Sequence, residues 1–153
     1  MLAAVCRSCG FAPDRALEVM QSIEEYTDGG LLESACRIAI AKRIERLAHP
    51  GVSLSSYRLY GGDHEVDIVV NDQRDGVLHL YEVKRKETAD PDFARHISDE
   101  AFVAFIMAEY GAKTVRRAVL YRGEDTISRR HGDCIPYLNI GRFLMRVENG
   151  EVF

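Results

Sequence analysis

The chain has 153 residues, 46% hydrophobic and 29% charged, a balance that suits one globular domain with its own core. No run approaches the roughly 20 apolar residues of a membrane-crossing helix, and the start, MLAAVCRSCG, lacks the basic-then-apolar order of a secretion signal. The net charge of −4 argues against a protein that coats nucleic acid by a generally basic surface, and four Cys without a secretion signal point to free thiols in a reducing cytoplasm.

Residues 1–29 read as an N-terminal helical segment. Pro13 suits a helix start, and Leu17, Met20 and Ile23 recur at helical spacing. Cys6-Arg7-Ser8-Cys9 has the spacing of half a zinc site or a redox pair. No second such pair follows, so two small apolar residues on one helix face fit better. Asp28-Gly29-Gly30 marks a boundary, with residues 30–153 as the main domain, and Asp28 is placed to cap the next helix.

That helix, Leu31 to Ala48, is the strongest in the chain and stops at His49-Pro50. Apolar residues surround most of its first half, which predicts burial there. Glu33 lies in line with Cys36, Ile40, Ile44 and Leu47, the most consistently apolar face. A carboxylate pointing inward needs a cation or hydrogen-bond donors. A first-turn acid favoured by the helix dipole is the equal alternative.

Val52 to Tyr60 is the first predicted strand, and Gly61-Gly62 turns into the next. Arg58 is a candidate DNA contact or an ordinary sheet-surface arginine, and His64 reads as a turn residue. The stretch 61–86, GGDHEVDIVVNDQRDGVLHLYEVKRK, holds two strand-like runs, Glu65 to Val70 and Val77 to Lys84, around a polar loop ending in Gly76. Along the second run Leu78, Leu80, Glu82 and Lys84 share one face. If Val70 pairs with Val77, Asp67 falls opposite Leu80 on that face, and two acids converge beside a lysine. A slip of one residue would send Asp67 to the other side.

Beyond the hairpin, Lys84-Arg85-Lys86 is a local basic cluster suited to a phosphate backbone, or a solvated strand end. Glu87 to Ser98 reads as a polar loop near the site, from which Arg95 and His96 could reach substrate. Asp99 to Tyr110 is an amphipathic helix stopped by Gly111. Val115 to Tyr121 is a strand and Gly123 to Asp133 a charged loop. A last strand, Tyr137-Leu138-Asn139, precedes a short helix or extension around Phe143-Leu144-Met145.

Two carboxylates at one strand end can hold Mg²⁺ or Mn²⁺ while leaving positions for water and phosphate. A bound metal activates water and offsets charge on a phosphoryl group, and a lysine can assist as a point charge. Asp67 followed by Glu82-Val83-Lys84 resembles the PD-(D/E)xK nuclease signature, with Val66 where the naming proline would be. The resemblance implies Asp67 and Glu82 as metal ligands, the Val83 carbonyl as a third, Lys84 as the catalytic lysine and Glu33 as the acid on the preceding helix. Gly30-Leu31-Leu32-Glu33, Tyr57-Arg58, Glu65-Val66-Asp67 and Glu82-Val83-Lys84 together look like the uncharacterised nuclease-like domain at the C-terminus of bacterial and archaeal AAA+ ATPases. That likeness spans Gly30 to Leu144. No GxxxxGK[ST] phosphate loop occurs, so the ATPase part is absent from this sequence. The expected fold is α/β with a restriction-endonuclease-like core, a mixed central sheet flanked by helices. Two functions follow as expectations: metal-dependent DNA hydrolysis, or a non-catalytic module that docks to an AAA+ ATPase.

Overall fold

The computed structural model describes residues 29–59, 62–130 and 133–153. The expected N-terminal helical segment and its Cys6/Cys9 pair lie outside that range. The first helix, α1, runs Gly29–Leu47. It ends at Ala48, whose φ of 48° turns the chain left-handed ahead of Pro50. Cys36, Ala39 and Ile40 are buried, but Leu31 and Ile38 are exposed by 42% and 45%. The first half of α1 is therefore not buried all round: only one stripe meets the sheet.

Six strands form one mixed sheet: β1 (Val52–Arg58), β2 (Glu65–Asp72), β3 (Val77–Val83), β4 (Thr114–Tyr121), β5 (Thr126–Arg130) and β6 (Asp133–Asn139), in spatial order β1-β2-β3-β4-β6-β5. β1, β2 and β3 meander antiparallel; β3, β4 and β6 run parallel; β5 returns antiparallel on β6. The crossover between β3 and β4 contains a short 3₁₀ helix, Pro91–Ala94, and helix α2, Glu100–Tyr110. Asp99 caps α2 by accepting from Phe102 N–H, and Gly111 closes it at φ 65°. Helix α3, Ile140–Asn149, is capped by Asn139.

The sheet separates two cores. On one side Ile68, Val70, Tyr81 and Leu120 pack with Cys36 and Ile40 of α1 and Phe143 and Leu144 of α3. On the other, Val69, Leu78, Leu80 and Val119 pack with Ala94, Ile97 and the Phe102–Ile106 face of α2. The mixed sheet flanked by helices is the fold class the sequence implied. β3 is central and buried on both faces, as strands with parallel neighbours usually are.

Three local readings change. The β2–β3 register pairs Asp72 with Val77, and Val69 with Leu80, in place of Val70 with Val77. The displacement is two residues, so the paired side chains from Ile68 to Asp72 keep their faces, while Val66, beyond the bulge in β2, packs on the side of Val69. Continued one pair beyond Ile68–Tyr81, the ladder would bring Asp67 opposite Glu82. Asn71 and Asp72 extend the strand because Asp72 is buried with a partner: its carboxylate accepts from the Arg74 backbone at 3.1 Å and from Arg74 Nε at 2.8 Å. Residues 126–130, expected as loop, form β5. Its one apolar residue, Ile127, is 66% exposed, so no apolar alternation marks this edge strand. Residues 87–98 are more than a polar loop, because Ala94 and Ile97 are fully buried beneath the 3₁₀ turn.

Candidate active site

Asp67 lies in an irregularity of β2. Ser55 pairs with Val69 and Tyr57 with Val66, so Asp67 and Ile68 together face the single residue Ser56. Such a bulge bends the strand and re-aims a side chain. Here it parts β2 from β3, and the Asp67 side chain replaces a ladder hydrogen bond, with Oδ2 accepting the Val83 N–H at 2.7 Å. Arg37 of α1 holds the bulge from behind, donating to the Asp67 carbonyl at 3.0 Å and the Ser55 carbonyl at 3.3 Å. Arg37 was not singled out from the sequence. Its only signal is its place one turn after Glu33 on the helix that precedes the hairpin.

Glu82 is 3% exposed. A buried carboxylate is costly without partners. Oε2 accepts from Lys84 Nζ at 2.6 Å, while Oε1 is buried with no hydrogen-bond partner among the described residues. Burial first, then repulsion from Asp67, pushes the Glu82 pKa up to about 7, although Lys84 pulls the other way. For Lys84, burial alone would lower the pKa. Glu82, by charge and hydrogen bond, together with the charges of Asp67 and Glu65, outweighs it and holds the ammonium above its usual range. Lys84 Nζ is also 3.7 Å from Asp67 Oδ2, so one ammonium bridges both acids. Its side chain is 31% exposed, which corrects the expectation of a solvated strand-end lysine.

Glu33 is half-buried on the second turn of α1. Its pKa is raised by burial and next by the Asp67 charge, with Arg37 opposing. The helix therefore brings a third acid into the field of Asp67 and Lys84. The other wall is the segment after β3. Asp92, Phe93, Arg95 and His96 enclose, with Glu82 and Lys84, a cavity of about 160 Å³. His96 Nδ1 is 2.9 Å from the Glu65 carbonyl and 3.9 Å from Glu82 Oε1, and its Nε2 is buried without a partner among the described residues. Arg95 and His96 thus line the site. His64 instead pairs with Asp99 at 3.0 Å and packs on Phe102, and Arg58 pairs with Glu65 across β1 and β2. Arg85 and Lys86 are exposed and do not line this cavity, while Lys84 points inward.

Could these residues hold a divalent cation? Among the described residues no three His, Cys, Asp or Glu side chains gather as a ready cage. Among the described residues Glu82 Oε1 is the orphaned oxygen, and the Asp67 carboxylate and the Val83 backbone lie beside it. Two carboxylates with water and phosphate completing the shell is the habit of Mg²⁺, so the donor set fits a hard cation.

The family model described as "Domain of unknown function (DUF4143)" matches residues 28–141, from the start of α1 to the start of α3. This uncharacterised domain is often found at the C-terminus of AAA-ATPase-like proteins. No curated protein and no solved structure matches the chain at the level of a relative. No helix among the described residues is long and apolar enough to cross a membrane. Since the match covers most of the chain, including both strands of the acidic hairpin, the chain belongs to the DUF4143 family.

Proposed function

We propose that this chain is a metal-dependent phosphodiesterase of the PD-(D/E)xK type that acts on DNA. The observation that supports it is the convergence of Asp67, Glu82 and Lys84 at one sheet end, with Glu82 Oε1 lacking a hydrogen-bond partner among the described residues. Asp67 and Glu82 would hold Mg²⁺ or Mn²⁺, with the Val83 carbonyl as a further oxygen. The ion, when bound, supplies water activation and offsets phosphoryl charge. Lys84 orients the attacking water or offsets charge in the transition state, and it must leave Glu82 Oε2 in part to do so. Glu33 completes the outer shell, and Arg85, Lys86 and Arg95 meet the phosphate backbone as position-setting contacts.

A second reading rests on the Lys84–Glu82 contact itself. At 2.6 Å it is a formed ion pair that needs no metal. Together with the net charge of −4, it suits a nuclease-fold module without chemistry that docks to an AAA+ ATPase. Incubation with supercoiled, linear duplex and single-stranded DNA in Mg²⁺, Mn²⁺ or EDTA decides between them. The first reading expects cleavage that EDTA abolishes and Asp67→Asn removes. Absence of cleavage on every form, with both metals, favours the module.

A further inference from the structure

The larger cavity, about 220 Å³, opens on the opposite face of the sheet, between β3, β4, β6 and α3. Its floor is a polar pair: His79 and Tyr81 are 3% and 4% exposed, with Nδ1 and the phenol oxygen 3.2 Å apart. Burial, then Arg116, lowers the His79 pKa to about 4, so the floor is uncharged at neutral pH. Two guanidiniums stand over it. Arg116 pairs in register with His79 on the neighbouring strand, and Arg146 comes from the last turn of α3. Both act on the Tyr81 hydroxyl through their charge. Arg146 has a loose contact with Glu151 at 3.8 Å, half-exposed on both sides. Arg116 has no hydrogen bond or ion pair among the described residues. Leu138, Phe143 and Val152 supply apolar wall.

A surplus of positive charge over a neutral polar floor, flanked by apolar side chains, is complementary to one chemistry. We infer that this cavity binds a small organic oxyanion, a phosphate monoester or a carboxylate, with its anionic group between Arg116 and Arg146 and its apolar body against Phe143 and Leu138. Planar guanidinium forks match either oxyanion with paired hydrogen bonds. The volume is below the range of drug-sized pockets, which limits the body to about one ring. The site is separated from Asp67 and Glu82 by the sheet and stands whether or not the chain cleaves DNA.

The test is calorimetry of the whole 153-residue chain with phenyl phosphate, benzoate and inorganic phosphate at constant ionic strength. Saturable binding of phenyl phosphate or of benzoate is expected, and the tighter of the two names the class. Inorganic phosphate should bind more weakly than phenyl phosphate, because it leaves the apolar wall uncovered. Arg116→Gln and Arg146→Gln should each weaken binding about tenfold or more, since each removes charge-assisted hydrogen bonds. Both arginines are exposed, so neither substitution opens the core. Asp67→Asn should leave the affinity unchanged. Unchanged affinity in Arg116→Gln, loss of binding in Asp67→Asn, or no saturable binding of any of the three anions overturns the assignment.

Discussion

Glu82 carries a conflict that pH should reveal. Its folded pKa of about 7 lies above the ordinary 4.5, so the native state keeps a proton that the unfolded chain has released. That stabilisation is complete below pH 4.5 and is lost as pH rises through about 7. Integrated over the shift it amounts to about 3 kcal/mol. Glu82→Gln is neutral throughout. Urea titrations in EDTA from about pH 4.5 to 8 should show wild type losing stability relative to Glu82→Gln across this window, the opposing rise from the buried His79 imidazole being common to both. Equal slopes would remove Glu82 as the cause. Lys84 belongs to the same balance. Lys84→Ala leaves Glu82 buried beside Asp67 without a cation, and at about pH 8 it should cost about 1–3 kcal/mol, discounted from a fully buried pair because the ammonium is partly exposed. At about pH 5 the cost should shrink, because Glu82 is then protonated. If Lys84 also serves chemistry, single-turnover cleavage of the folded variant should fall about 10²–10³-fold. Cleavage at the wild-type rate would leave Lys84 only its structural part.

At the scale of elements, the bulge in β2 does what neither strand does alone. It frees Asp67 from the ladder, and the side chain then satisfies the Val83 amide. Two substitutions separate that structural role from metal binding. Asp67→Ala leaves the part-buried Val83 N–H without its acceptor and should cost about 1 kcal/mol or more. Asp67→Asn keeps an oxygen that can accept from Val83 and should melt near wild type, yet lose Mn²⁺ affinity because it loses the charge. Melting curves beside Mn²⁺ calorimetry read both effects; Mn²⁺ bound equally by wild type and Asp67→Asn would remove Asp67 as a ligand. The bulge was not legible in the sequence. Glu65 to Val70 alternates and runs apolar like any buried strand, and the extra residue shows only against the register of β1. The hairpin register was missed for a related reason. Asn71 and Asp72 look like turn residues, but Arg74 satisfies Asp72 and lets the strand continue two residues further. The displacement was even, so Ile68 to Asp72 kept their faces, and Asp67 comes within 3.7 Å of Lys84 from the bulge.

At the scale of the whole molecule, what was legible was what periodicity and punctuation encode. The α1 stripe, the apolar runs of β3 and β4, and the Asp99 and Gly111 caps placed most elements within a few residues. What was not legible depends on contacts distant in sequence: β5, an edge strand held by β6; Arg37, whose target lies thirty residues away; and His96, brought to Glu82 by the crossover between β3 and β4. The candidate site joins α1, β2, β3 and that crossover, so it exists only in the folded chain. A cation that binds there binds the native state alone and must raise global stability. At about one hundred times its dissociation constant the gain is about 2.7 kcal/mol, or roughly 5–10 °C in Tm for a chain of this size. Thermal scans at neutral pH should show this rise with Mn²⁺ over EDTA. Glu82→Gln should abolish it, and Arg116→Gln, on the far side of the sheet, should leave it intact. The rise should weaken below about pH 6, where the cation must displace the proton on Glu82. A shift that persists in Glu82→Gln would place the cation elsewhere and leave the acidic hairpin as a structural ion pair.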